Sequence, residues 1–448
     1  MTSRIVSLFS TLRTHKKKTI FFSSCLALLV DYGLKQKRDS DILEVYCKEA
    51  QKIGRQTISA DSKPRRVTVL LNGFAKDGKA RKLFENNALP LLNLAGLEVN
   101  VLKVESADKL ETVAGALDKQ EADALYVVGG DGTLSRVLTG VFNNRTTPAL
   151  PIGVFPGGWN NESLSKLAPS VFGLSNRANV RWFCESAMAL INDTRKPVHV
   201  FKVDSQTEEG NVKTVYALSN THGGWFRNIE EKKYKYWYWF RLKRRFTYFW
   251  ETLKASPKPI VANIQYESFC PGCNKCRSAA PTKAVVAAPQ WRWWHVITGT
   301  PRYVTPEQQR PRRDYSTIVN DNCGAVQEVT VSTTDLLVEN VQEEDCSRLR
   351  ISAGGEGLGR LGVISEGWGR CGNDATVRSH TENFYSFDAD ASKVNIEFSQ
   401  LPEKCEIFSV SGDRIDVSKG PVRVETVPQP IELYLPKMFS FGANVNAS

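Results

Sequence analysis

The chain has 448 residues, 41% hydrophobic and 24% charged. That is enough for two domains with separate cores and too apolar for a disordered chain. Its formal charge of +11 is uneven: residues 1–66 hold 14 Lys+Arg against 6 Asp+Glu, a local +8 that leaves +3 on the rest. A basic tail on a near-neutral body argues against a nucleic-acid partner, which needs its charge on the fold itself.

Residues 1–30 contain no acid and carry Arg4, Arg13, Lys16, Lys17 and Lys18. An apolar run, Ile20–Val30, follows; it stops at Asp31, and Lys35, Lys37 and Arg38 come next. The run is short of the ~20 residues of a spanning helix and lacks a small-residue cleavage site. The composition of residues 1–38 fits mitochondrial targeting with a membrane-contacting segment. A disordered basic tail ahead of a buried helix is the other reading. Asp39-Ser40-Asp41 is expected to cap a helix carrying Ile42, Val45, Tyr46 and Ile53.

Strands are expected at Val67–Leu71, Leu97–Val104, Leu125–Val128 and Ile152–Phe155, with helical patterns between them. Alternating β and α at this spacing predicts a parallel sheet with helices on both faces. Ligands of such sheets gather at the C-terminal strand ends. The loops after Leu71, Val128 and Phe155 open there, and each is rich in Gly or Asn. The most informative is Gly129-Gly130-Asp131-Gly132-Thr133, between a strand and a helix through Leu134, Val137, Leu138 and Val141. Glycines let a phosphate approach the backbone, and a helix N-terminus favours an anion. Asp131 in that turn is placed to receive a proton or hold Mg²⁺; a carboxylate at a helix start is the plainer alternative.

After Pro197 the patterns turn strand-like, which predicts a mostly β second domain. Tyr234–Leu253 reads as one helical stretch in which aromatic residues alternate with Lys and Arg. Such interleaving suits a membrane interface, a core helix with a solvated basic face, or stacking of single-stranded nucleic acid. Cys270, Cys273 and Cys276 form two overlapping C-x-x-C steps. A zinc knuckle lacking a locatable fourth ligand, a disulfide and free thiols all remain open, since Cys323, Cys346, Cys371 and Cys405 are dispersed. Residues 277–289 read as a linker or exposed loop. The expected division is therefore a basic membrane-contact segment and helix over 1–62, an α/β nucleotide-binding domain over 63–195, and a mostly β domain over 196–440. The last carries an inserted Cys-rich loop over 268–320, and the active site lies in the cleft between the two domains.

Gly129-Gly130-Asp131-Gly132-Thr133 after a strand resembles the phosphate turn of diacylglycerol, sphingosine and ceramide kinases and of NAD kinases. Asn72 with Gly78-Lys79-Ala80 is similar to the first glycine loop of the lipid kinases. Pro156-Gly157-Gly158-Trp159-Asn160-Asn161-Glu162 resembles their Pro-x-Gly-Thr-x-Asn-Asp loop, with Trp159 for threonine and Glu162 for aspartate. Phe387-Asp388-Ala389-Asp390 resembles their Asp-Gly-Glu motif, with Asp390 in the glutamate position. Gly78–Glu85, Lys235–Tyr238 and Phe249–Lys254 narrow the resemblance to the mitochondrial acylglycerol kinase family, as an invertebrate-like member.

The resemblance implies transfer of the ATP γ-phosphoryl group to mono- or diacylglycerol. Asn72, Lys76, Lys79, Gly129, Gly130, Gly132, Thr133, Gly158 and Asn161 would bind the nucleotide. Asp131 and Asp390 would be the catalytic acids and the Mg²⁺ side, and Arg227 and Asn228 would meet the lipid. Asn228 stands where relatives carry aspartate. The implied place is the inner mitochondrial membrane facing the intermembrane space. Two other functions stay open: a non-enzymatic subunit of the inner-membrane carrier translocase, and a sphingosine, ceramide or NAD-type kinase.

Overall fold

A computed structural model describes residues 16–56, 63–117, 119, 122–144, 150–173, 180–206, 210–276, 315, 317–343, 346–371, 378–403 and 405–438. Residues 1–15 of the expected targeting segment and the expected linker 277–289 lie outside them.

The first domain alternates as expected: β1 (Arg66–Asn72), α1 (Lys79–Asn87), α2 (Leu89–Leu94), β2 (Glu98–Val104), α3 (Ala107–Ala116), β3 (Ala124–Gly129), α4 (Asp131–Asn144), β4 (Ile152–Pro156), α5 (Glu162–Leu167) and α6 (Val180–Ile191). β2, β1, β3 and β4 pair in parallel in that order. The central strands are mostly apolar, and β3 and the interior of β1 are buried throughout, because both faces are covered. On one face Leu70, Leu125 and Val127 pack with Leu134, Val137 and Leu138 of α4. On the other, Val69, Tyr126 and Phe155 pack with Phe84 of α1 and Phe183 of α6.

Two further strands complete this sheet. β5 (Arg195–Val198) and β6 (Ile431–Tyr434) extend it in the order β4-β6-β5, with β6 parallel to β4. The expected domain boundary after residue 195 therefore changes. The chain leaves the first domain after Val198 and returns to it at its end, so two connections join the domains.

The second domain is one antiparallel sheet of eleven strands among the described residues. Its edge strand at Asp413–Asp416 forms a hairpin with Ile407–Val410, which pairs in turn with Asn220–Gly224. The core, including Phe201, Phe226, Tyr248, Ile264, Leu349 and Phe408, fills the space under its helices. The stretch Tyr234–Leu253 is not one helix. A helix at Trp225–Lys232 ends, a 3₁₀ turn spans Trp237–Leu242, and a second helix covers Lys243–Lys254.

Ahead of both domains, one helix runs continuously over Lys16–Gly54, about 58 Å at 1.5 Å per residue. Asp39-Ser40-Asp41 lies inside it and caps nothing. Its C-terminal half packs through Tyr46 and Ala50, and the Tyr46 hydroxyl donates to Glu185 at 2.6 Å. Leu26, Leu28, Leu29 and Val30 stand exposed on its other half. No described helix is long and apolar enough to cross a membrane.

Candidate active site

The three loops after β1, β3 and β4 meet at the C-terminal edge of the first sheet and line a cleft of about 370 Å³. The sheet geometry requires this, because parallel strands end on the same edge. Gly130 and Gly158 make the floor. A Cβ on Gly158 would lie 2.3 Å from the Gly130 Cα, and one on Gly130 would lie 2.6 Å from the Asn160 carbonyl. The Gly158 N–H donates to the Gly129 carbonyl at 3.1 Å, and the Asp131 N–H to the Asn160 carbonyl at 3.0 Å. The β3 and β4 loops are thus zipped together at a spacing that only glycine permits.

Asp131 opens α4 and is buried, 6% exposed. Its carboxylate accepts the N–H of Glu162 at 2.7 Å and of Ser163 at 3.1 Å, so it also caps α5 across the cleft. Burial first, then the neighbouring Glu162 carboxylate, pushes its pKa up to about 7 against the pull of those two donors. A carboxyl with that pKa exchanges a proton near neutrality. Asn72 donates to the Thr133 hydroxyl at 2.9 Å and accepts the Phe74 N–H at 3.0 Å, which ties the first loop to the start of α4. Lys76, Asp77 and Gly78 are consecutive left-handed residues, φ 53°, 56° and 79°. The strain of two non-glycine residues in that region turns the chain sharply into α1. Lys76 lines the cleft, and burial followed by nearby Lys79 pushes its ammonium pKa down.

Of the residues expected from sequence, Asn72, Lys76, Gly130, Asp131, Gly132, Thr133 and Gly158 line the cleft. Gly129 lies directly beneath, with Thr133 against it. Lys79 and Asn161 are not in the lining. Asn161 donates to the Gly158 carbonyl at 3.3 Å, and its own Oδ1 is buried without a partner. Arg227 and Asn228 are buried in the first turn of their helix and do not line the cleft; Arg227 pairs with Glu231 at 2.7 Å.

Asp390 is a correction. It lies on the long strand Tyr385–Gln400 and pairs with Arg348 of the adjacent strand at 2.9 Å. Asp388, two residues earlier on the same face, pairs with Arg350 and Arg378. This acidic pair belongs to a cross-strand ion lattice, and neither member lines the cleft. The second-domain segment that does reach it is the hairpin turn Ser411-Gly412, both residues left-handed, followed by Asp413. Gly412 lies against Gly132, and the Ser411 N–H donates to the Asn220 carbonyl at 2.8 Å. Sequence reading missed this turn because Ser411-Gly412-Asp413 keeps only the glycine of Asp-Gly-Glu, whereas Asp388-Ala389-Asp390 keeps its first aspartate. The available signal was a Ser-Gly pair between two short strand patterns.

Residues 66–203 match the family described as "Diacylglycerol kinase catalytic domain". An uncharacterized Caenorhabditis elegans protein is 41% identical over 437 residues, 97% of each chain. The chain belongs to the diacylglycerol kinase family of lipid kinases. A mouse protein named mitochondrial acylglycerol kinase is 27% identical over 425 residues, 90% of this kinase and 96% of the mouse chain. A solved structure of a putative Bacillus anthracis diacylglycerol kinase aligns with 14% identity and a TM-score of 0.46, over 84% of this kinase and 98% of that chain.

The kinase's cleft has an aromatic and basic rim. Trp159, in the threonine position of the β4 loop, is 49% exposed and sits 6.0 Å from Tyr234 of the second domain. The Tyr234 hydroxyl donates to Asn160 at 3.1 Å, and the Lys243 ammonium lies over both rings at 5.6 and 5.5 Å. Trp237, Tyr238, Trp239, Phe249 and Trp250 continue this exposed surface.

Proposed function

We propose that the kinase transfers the ATP γ-phosphoryl group to monoacylglycerol and diacylglycerol, forming lysophosphatidic and phosphatidic acid at the inner mitochondrial membrane, on the face toward the intermembrane space. The acceptor hydroxyl oxygen bonds to the γ-phosphorus, the bond from that phosphorus to the bridging oxygen of ADP breaks, and the hydroxyl proton passes to the Asp131 carboxylate. Gly130, Gly132 and Gly158 line the cleft and form the phosphate cradle, its two loops packed so closely that neither Gly130 nor Gly158 can carry a Cβ. Lys76 and Lys79 supply positive charge. Mg²⁺, when bound, neutralises charge on the β- and γ-phosphates. Asp131 and Asp413 are the carboxylates lining the cleft, and their hard oxygens suit that ion. Positioning and charge neutralisation carry most of phosphoryl transfer, so one base with this cradle suffices.

The observation that carries the lipid half is the Trp159–Tyr234 contact, which joins the phosphate loop to the exposed aromatic and basic surface. A water-soluble acceptor needs no such surface, whereas amphipathic rings and cations favour a headgroup layer. The exposed leucines of the N-terminal helix add a second membrane contact. The mitochondrial assignment rests on the name of the mouse relative and on the acid-free start of the chain. The test offers radiolabelled ATP to the purified kinase with vesicles holding monoacylglycerol, diacylglycerol, sphingosine or ceramide, and separately with NAD. Label should enter the two acylglycerols at least about tenfold faster than the others, ~1.4 kcal/mol in barrier. Faster labelling of sphingosine, ceramide or NAD would replace this reading.

A further inference from the structure

Four cysteines outside the cleft converge where two strands of the second domain end and begin. Cys270, Cys273 and Cys276 follow the strand Ile260–Ser268, and Cys323 precedes its antiparallel partner Val326–Thr333. Their four sulfurs all lie within 4.8 Å of one another. The Cys276 sulfur is 3.7 Å from that of Cys273 and 3.8 Å from that of Cys270. Four thiolates around Zn²⁺ at about 2.3 Å in a tetrahedron stand about 3.8 Å apart. A disulfide would bring two of them to about 2.05 Å.

The surroundings support the same chemistry. The Cys273 N–H donates to the Cys276 sulfur at 3.4 Å, and the Asn320 amide to the Cys270 sulfur at 3.3 Å. Such outer hydrogen bonds orient ligands and stabilise their charge. The knuckle and the Cys323 loop are also joined through backbone, since the Asn274 N–H donates to the Ile318 carbonyl at 2.9 Å. Gly272 allows this approach: its φ is +149°, and a Cβ there would lie 2.4 Å from the Tyr315 ring.

We propose that Cys270, Cys273, Cys276 and Cys323 bind one structural Zn²⁺. Four sulfurs close the coordination sphere and leave no position for water or substrate, which makes the site structural. The ion clips residue 270 to residue 323 and seals the base of the long segment between Cys276 and Cys323. It thereby holds the end of the ladder in which Val326 faces Glu267. None of the four cysteines lines the kinase cleft, so the site is independent of the phosphoryl-transfer reading.

The test uses the full chain, purified under inert gas without chelator or added reductant, and reads zinc by mass spectrometry together with thiol titration. One zinc per chain is expected, with C323S and C276S each losing it and C25S, on the N-terminal helix, keeping it. Co²⁺ exchanged into the wild type should give the visible absorption of a tetrahedral thiolate site, a readout that stands even if C323S fails to fold. Turnover of the folded C276S kinase should stay within about threefold of wild type, which separates loss of metal from loss of catalysis. Wild type without zinc and unable to take up Co²⁺ would overturn the proposal. So would full zinc occupancy in C323S, or thiols that appear only after added reductant, which would mark disulfides.

Discussion

Arg136 of α4 donates to the carboxylate of Asp413 at 3.0 Å, joining the helix that begins at the phosphate turn to the hairpin the second domain lowers onto it. Arg136 and Asp413 both line the cleft. Burial, opposed by Arg136, pushes the Asp413 carboxyl above its ordinary range. Asp413→Asn is therefore expected to reduce kcat by about tenfold or more and to raise the Mg²⁺ concentration needed for half-maximal rate. Asp390→Asn removes one half-exposed ion pair and should cost under ~1 kcal/mol of stability, with turnover within about threefold. Mg²⁺ titrations of the two purified variants decide between the acids. A larger loss from Asp390→Asn would restore it to the site.

Gly158→Ala tests the phosphate cradle. The added Cβ meets the Gly130 backbone, which cannot rotate away as a side chain would. Overpacking of this kind costs about 1–3 kcal/mol, and here it also spreads the β3 and β4 loops. Calorimetric titration with ATP should show binding reduced by at least about tenfold, ~1.4 kcal/mol. Unchanged affinity would mean that the phosphates lie elsewhere.

The second domain rests on a buried ionic centre. Arg370, 1% exposed by side chain, pairs with Asp335 at 2.7 Å and with Glu366 at 2.7 Å, while its guanidinium lies 4.2 Å from the centre of the Phe226 ring. His222 meets the other Asp335 oxygen at 2.6 Å. Burial alone would raise the Asp335 pKa, but Arg370 and His222 hold it well below the carboxylate range. Arg370→Met strands that carboxylate, so denaturant unfolding should show a loss of about 3–5 kcal/mol. Arg350→Met, in the half-exposed lattice, should lose under ~1 kcal/mol. Similar losses in the two would contradict the contrast.

The legible part of this molecule was local. Val67–Leu71 and Leu125–Val128 are short apolar runs ending in glycine or asparagine, so strand, edge and ligand side followed from pattern alone. The pieces that failed depend on partners far along the chain. β6 enters the first sheet from residue 431, and no periodicity marks which sheet a short strand joins. Asp388 and Asp390 resemble a site motif, yet Arg348, Arg350 and Arg378 claim them across strands. Asp39-Ser40-Asp41 looked like a cap because it precedes the helical apolar pattern Ile42, Val45, Tyr46 and Ile53, but the helix simply continues through it. Cys323 was invisible as a ligand because 46 residues separate it from Cys276.

The rim should govern access to lipid and leave chemistry intact. Replacing both Trp237 and Trp250 by Ala removes two exposed rings and should weaken binding to anionic vesicles by about tenfold, ~1.4 kcal/mol. Phosphorylation of a short-chain, soluble acylglycerol should change less than about threefold. Deleting residues 1–38 should leave the kinase in the supernatant after carbonate extraction of mitochondrial membranes. If that truncated chain still pellets while the double Trp variant of the full chain does not, the rim is the main anchor.

Asp131 carries the central claim. Its pKa of about 7 in the fold lies well above the ordinary aspartate value of about 3.9. Protonation therefore stabilises the fold: the contribution is full below about pH 4 and is lost as pH rises through about 7. Catalysis runs the other way, because only the ionised form accepts the acceptor's proton. The decisive measurement is kcat against pH for wild type and Asp131→Asn, with ATP affinity and melting temperature read on the same samples. Wild type should show a rising limb near pH 7. The variant should lose that limb and fall by about 10²-fold or more while ATP affinity changes little. The melting-temperature gap between them should change with pH over the same range. A variant that melts lower through the lost α5 cap, yet keeps the pH limb and most of the turnover, would contradict the account and leave Asp131 a helix cap.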